Sequence, residues 1–174
     1  MLYSLSTTEK AVIGGVRTLL VAAFSVEALY TYATAQRHTI TAIAGLSGWQ
    51  RFDLADTAQA SAPGKNTKQG WQHAHRLDLS APGLEVARAY VAEQLQAGPI
   101  VALVQDFAGQ WWLLGQQFGL TLSATGWATG AYKGDSGQSF QLERTEPHAP
   151  RRVAASFLNL IYNSSTQFEE APTV

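Results

Sequence analysis

The chain has 174 residues, of which 46% are hydrophobic and only 14% charged, with a formal net charge of −1 and no cysteine. This length suits one domain with a substantial core. The near-neutral balance supplies no electrostatic pull toward DNA, RNA or anionic lipid, and the lack of cysteine excludes disulfides, thiolate zinc sites and cysteine nucleophiles.

Five Trp, six Tyr and seven Phe on so weakly charged a chain leave many large side chains to hide. A subunit of an assembly hides them more readily than a monomer does. The first thirty residues are interrupted by Glu9, Lys10 and Arg17, so they read as neither a signal peptide nor a membrane span. The expectation is a protein used without Sec export.

In chain order, residues 16–24 (VRTLLVAAF) form an apolar run that predicts a buried strand. Residues 25–37 are ambiguous between a short helix and a loop. Residues 38–46 alternate, with Ile40, Ala42, Ala44 and Leu46 sharing a face, and residues 48–54 predict a further strand. Residues 55–70 (ADTAQASAPGKNTKQG) hold no large apolar side chain. They read as a long polar loop with Pro63-Gly64 at its tip. A loop of that length in a compact domain is usually functional or disordered.

Residues 71–79 predict a strand with Trp71, His73, His75, Leu77 and Leu79 on one face. The single predicted helix covers 81–97. Ser80 serves as its N-cap, Pro82 lies in the first turn, Gly98-Pro99 stops it, and Leu84, Ala87, Val91 and Leu95 make its apolar stripe. Residues 99–105 and 110–115 predict a hairpin across Asp106-Phe107-Ala108-Gly109. Residues 119–125 and 139–145 alternate as strands, residues 152–162 predict a last strand, and 163–174 a loose tail. The expected fold is mainly β with one α-helix, an antiparallel sandwich or barrel in one domain spanning 1–174.

Within the hairpin, Trp111, Trp112, Leu113 and Leu114 are four large apolar residues in a row. A strand with one wet face alternates, so this one is covered on both faces. The cover is a helix of the same chain, a ligand or another copy.

Chemistry-bearing patterns are sparse. His73 and His75 share a strand face, but His38 and His148 have no spacing that completes a zinc site. The GDSG at 134–137 lacks the rest of a serine-protease pattern, so Asp135 and Gly137 read as turn residues. No phosphate-binding glycine loop is present. Asp53, Asp56, Asp78 and Asp106 are scattered with nothing to pair them. These patterns point away from an enzyme and call for no cofactor or metal. Trp49, Trp71, Trp127 and Tyr132 allow a different class, a sugar-stacking platform on a carbohydrate-binding β-sandwich.

Gly109, Trp112, Leu114, Gly115, Gly119 and Leu120 in the hairpin carry a resemblance, as do Thr129, Gly130, Asp135, Gly137, Leu142, Glu146 and Pro150 after it. Across roughly residues 14–155 the chain resembles a family of virion proteins of tailed phages and prophages of Bacteroidetes-type bacteria. Its architecture is similar to the phage tail tube fold. That resemblance implies a subunit of hexameric rings that stack into a tube in the virion, assembled in the host cytoplasm, with DNA only in transit through the lumen. Its partners would be itself and other tail proteins, with no membrane contact.

The resemblance also implies that the 55–70 loop, with Ala62, Pro63, Gly64, Lys65 and Asn66, meets a neighbouring subunit or ring. Trp111, Trp112, Leu113, Leu114 and Trp127 are the other interface candidates. A neck, tail terminator or baseplate ring protein is the alternative within this class. The chain departs from the pattern in being nearly neutral, whereas a DNA-conducting lumen is expected to be acidic.

Overall fold

A strand whose every side chain is apolar must be buried on both faces, and the apolar run of residues 100–104 sits at the centre of the molecule for that reason. The computed structural model describes residues 15–35, 38–53, 58–82, 93, 95–128, 137–164 and 166–167. Its elements are β1 (Val16–Ala23), β2 (Leu29–Tyr32), β3 (Thr39–Ala44), β4 (Gln50–Asp53), β5 (Ala58–Ser61), β6 (Gly64–Thr67) and β7 (Gly70–Pro82). These are followed by β8 (Ile100–Asp106), β9 (Trp111–Leu114), β10 (Thr121–Ala128), β11 (Gly137–Glu146), β12 (Arg151–Val153), α1 (Ala155–Ser164) and β13 (Thr166–Gln167).

The strands form two sheets. The larger runs β13-β4-β1-β8-β9-β12-β3-β2, and the smaller β10-β11-β7-β5, with β6 also paired to β7. Pairing is antiparallel except between β12 and β3 and between β13 and β4. The protein is therefore mainly β, a sandwich whose described strands do not close into a barrel.

Two apolar cores follow from the pleat. Ile100, Ala102 and Val104 of β8 face the smaller sheet and meet Leu77, Phe140 and Leu142 there. Val101 and Leu103 face the other way, with Trp111 and Leu113, against Trp49 and the α1 residues Leu158 and Ile161. The WWLL strand is thus covered by its own chain: Leu114 faces the smaller sheet, and Trp111 and Leu113 face the helix side. Trp112 alone remains 36% exposed.

The structure corrects several expectations. Residues 152–162 are not one strand, because β12 ends at Val153 and α1 begins at Ala155. Phe157, Leu158 and Ile161 all pack on the helix-side core, whereas a strand would send Phe157 and Leu158 to opposite faces. The tail expected over 163–174 is helical through Ser164, and Thr166 and Gln167 pair with Gln50 and Arg51. The helix expected over 81–97 does not start at Ser80, because β7 continues through Pro82 opposite Gly137. Residues 83–92 lie outside the described residues, and Glu93, Leu95 and Gln96 are helical. Leu95 is buried between the sheets, so the helix on the outer face of the larger sheet is α1 instead.

The 55–70 segment is not a loop over its described part. β5 pairs with β7 from Ala58 opposite Leu79 to Ser61 opposite Arg76, and β6 pairs with β7 from Gly64 opposite His73 to Thr67 opposite Gly70. Between them the Pro63 carbonyl accepts a hydrogen bond from Ala74 N–H at 3.0 Å, so the ladder continues through the kink. Pro63 needs no donor on that edge strand. The tip is Lys68-Gln69, closed by Thr67 Oγ1, which accepts from Gln69 N–H and donates to the Gly70 carbonyl.

Candidate functional site

Two places concentrate side chains that the packing of the sandwich does not require. The first is a buried polar cluster where β7, β11 and the β9–β10 connection meet. His75 on β7 and Glu146 at the end of β11 are 1% and 2% exposed. Burying a neutral hydrogen-bonding group costs on the order of 2–7 kcal/mol, and a charge far more, unless partners replace water.

Here the partners are backbone groups. Gly115 N–H donates to His75 Nδ1 at 3.3 Å, which leaves the ring proton on Nε2, and Nε2 donates to the His148 carbonyl at 2.7 Å. Glu146 Oε1 accepts from Gln117 N–H at 2.9 Å and Phe118 N–H at 3.2 Å. Two successive backbone N–H groups aimed at one oxygen form an anion-holding nest. Gly115 has φ 73°, and a Cβ there would come within 2.8 Å of Leu120 N, so only glycine makes this turn.

Burial holds the His75 imidazolium form off and lowers its pKa, outweighing the opposing pull of Glu146. With Nδ1 occupied as an acceptor, its 3.7 Å approach to Glu146 Oε2 is not an ion pair in the neutral state. Tyr30 of β2 has its pKa pushed up to about 12 by burial, then by the charges of Glu146 and Tyr32. Its hydroxyl has no hydrogen-bond partner among the described residues. Gln116 Nε2 donates to Tyr32 OH, which ties β2 to the same turn. The His75 and Glu146 side chains are sealed from solvent, and their chemistry is to clamp the 115–118 turn across the two sheets.

The second place is the open mouth of the sandwich. A cleft of about 400 Å³ lies between β5 and the β8–β9 hairpin. Its walls are Ala60, Ala62, Val104, Trp112, Leu114 and Pro150, with Ser61 and Asp106 as polar groups. Asp106 fixes the indole of Trp112, accepting Nε1–H at 3.0 Å on Oδ2, while Oδ1 accepts Gln110 N–H at 2.8 Å.

Beside the cleft projects the β6–β7 ribbon, whose register puts Trp71 opposite Asn66 and His73 opposite Gly64. The Trp71 and His73 rings stack at 6.4 Å and 24°. A Cβ on Gly64 would come within 2.8 Å of the His73 ring, so the bare glycine lets the imidazole lie flat on the strand. Trp71 is 62% exposed.

The interface candidates expected from sequence divide between these features. Trp111 and Leu113 are buried under the helix side and offer nothing to a second copy. Leu114 is buried too, although it lines the cleft with Trp112 and Ala62. Gly64, Lys65 and Asn66 are in the arm, with Pro63 at its base. Trp127 is in β10 opposite Gln138, far from the cleft in register. Of the sugar platform, Trp49 is buried under α1 and Trp71 is on the arm, while Tyr132 lies outside the described residues.

His73 and His75 do not converge on a metal, because one stacks on Trp71 and the other is engaged at both nitrogens. Among the described residues no three His, Asp or Glu side chains group to hold one. Sequence reasoning missed Glu146 as a buried group. The available signal was its position: two steps of two beyond Leu142, on the face that Phe140 and Leu142 share, lies a carboxylate. No protein-family model, no curated protein and no solved structure matches the chain.

Proposed function

We propose that the chain is a non-enzymatic structural protein of a phage virion, a tail tube subunit that assembles into six-membered rings stacked around a DNA-conducting lumen. The assembly part rests on apolar surface that the sandwich leaves bare. Leu29, on the edge of β2 that is unpaired among the described residues, is 70% exposed, Val26 just before it 89%, and Trp71 on the arm 62%. Single exposed apolar residues are ordinary. An unpaired strand edge and a projecting ribbon are different, because they are where another chain adds.

A closed ring needs two unlike patches on one subunit, and an open sandwich offers them. The virion and tail part rests on the resemblance carried by residues such as Gly109, Trp112, Gly115 and Gly119. On this reading the partners are further copies and other tail proteins, DNA passes without sequence-specific contact, and no cofactor takes part. A neck, terminator or baseplate ring would use the same contacts. The carbohydrate-binding reading keeps Trp71 but loses Trp49 to the core.

Negative-stain microscopy of the concentrated protein, with mass photometry of the dilute protein, tests the proposal. Rings or tubes with six-fold symmetry are the expected result. A monomer at every concentration overturns the assembly reading.

A further inference from the structure

The arm and the cleft are complementary features of one molecule. The arm presents an indole that is 62% exposed, stacked on His73, whose ring lies over Gly64. The cleft is an apolar void of about 400 Å³ at the open mouth of the sandwich, floored by the small side chains of Ala60 and Ala62 and walled by Trp112. Size and polarity are compatible: the largely apolar recess has room for an indole, whose rigid two-torsion side chain loses little entropy on seating.

Charge points the same way. From Ala58 to Leu77 the chain carries Lys65, Lys68 and Arg76 and no carboxylate, although it holds 13 acidic residues overall. Arg76 is engaged by Asp78, which leaves the lysines as the exposed charges of the arm. The cleft bears the carboxylate of Asp106 beside its aromatic wall.

We infer that Trp71 of one copy seats in the cleft of a second copy, with Lys68 at the tip of the arm as the charge that faces Asp106, since Lys65, opposite Gln72, is on the other face of the ribbon. The contact is heterologous in its parts, a projecting side chain on one surface and a recess on another, so each copy can give one and receive one. This inference rests on the assembly reading and names one of its contacts. It also gives Trp112 a role that the monomer does not supply: Asp106 holds an exposed indole rigid as the wall of a recess.

The test uses two variants of the full chain, each changed at an exposed position. Trp71→Ala removes the projecting group and leaves the cleft. Ser61→Trp fills the cleft from its rim and leaves the arm. Circular dichroism first establishes that both fold as the parent does. Mass photometry then follows association of each alone and of the mixture.

The expected result is that each variant alone needs at least about tenfold more protein to associate, the scale of losing a buried tryptophan contact. The mixture should regain one contact, because the arm of one variant meets the open cleft of the other. The inference is overturned if Trp71→Ala associates as the parent does, or if the mixture gains nothing over either variant. In those cases an associating parent leaves the broader assembly reading standing. A parent that never associates removes both together.

Discussion

His75 is held at both ring nitrogens by backbone groups, Gly115 N–H on one side and the His148 carbonyl on the other. That arrangement accommodates only the neutral ring, because a second ring proton would displace Gly115 N–H. Burial decides the balance and lowers the pKa; of the groups facing the ring, Glu146 and the His148 carbonyl favour the charged form, and the His73 and His148 side chains oppose it. The unfolded chain returns the group to its ordinary value of about 6.5. Below that pH the unfolded state binds a proton that the folded state refuses, so this group costs stability as pH falls from about 6.5 toward the lowered value and has no effect above it. His75→Gln should cost about 2 kcal/mol at neutral pH by orphaning Gly115 N–H. Urea melts of parent and variant at stepped pH isolate the effect, since other groups titrate in both. The advantage of the parent should shrink on acidification, and a constant or growing difference contradicts the assignment.

At the scale of elements, α1 does what the sequence pattern assigned to another helix. It covers the helix-side core through Leu158 and Ile161, over a sheet whose β8 and β9 residues need burial there. Leu158→Ala should therefore cost about 3 kcal/mol, as a core truncation does, while Ser156→Ala on the exposed side should change little. Chemical denaturation of the two variants decides this, and a Leu158→Ala cost under about 1 kcal/mol would show α1 to be peripheral.

Strands with strong alternation or unbroken apolar runs were legible from sequence: β1, β3, β8, β9 and β11 all fall where the pattern put them. What was not legible follows from physics. β5 and β6 are built from Ala, Gln, Ser, Gly, Lys and Asn, with Thr67 as their one β-branched residue, so the strand signal is weak, and they are strands because β7 offers its backbone edge. The α1 segment has a short apolar run that either period fits, and tertiary cover chose the helix. At the candidate site, the exposed Trp112 and the Ala62 edge were singled out from sequence. Their meeting across the cleft required the sheets to be placed first.

For the whole molecule, the question is which surfaces the sandwich cannot satisfy alone. Among the described residues the larger sheet stops at β2, a four-residue strand paired to β3 alone, with Leu29 turned to solvent. β2 is pinned from inside, through Tyr32 bonded by Gln116 and Tyr30 half-buried near Glu146, so its outer edge is presented rather than frayed. A fixed, short, apolar edge is a poor feature for a monomer and a usable one for an assembling subunit. Leu29→Lys places a charge on that edge without touching either core, so the monomer should keep its stability to within about 0.5 kcal/mol. Ring formation should weaken, because a buried lysine ammonium must be desolvated for the edges to meet. Thermal melts of the dilute protein test the first half, and the concentration at which rings appear in negative stain tests the second. Unchanged ring formation by Leu29→Lys would remove β2 from the contact and leave the arm and the cleft as the surfaces through which copies join.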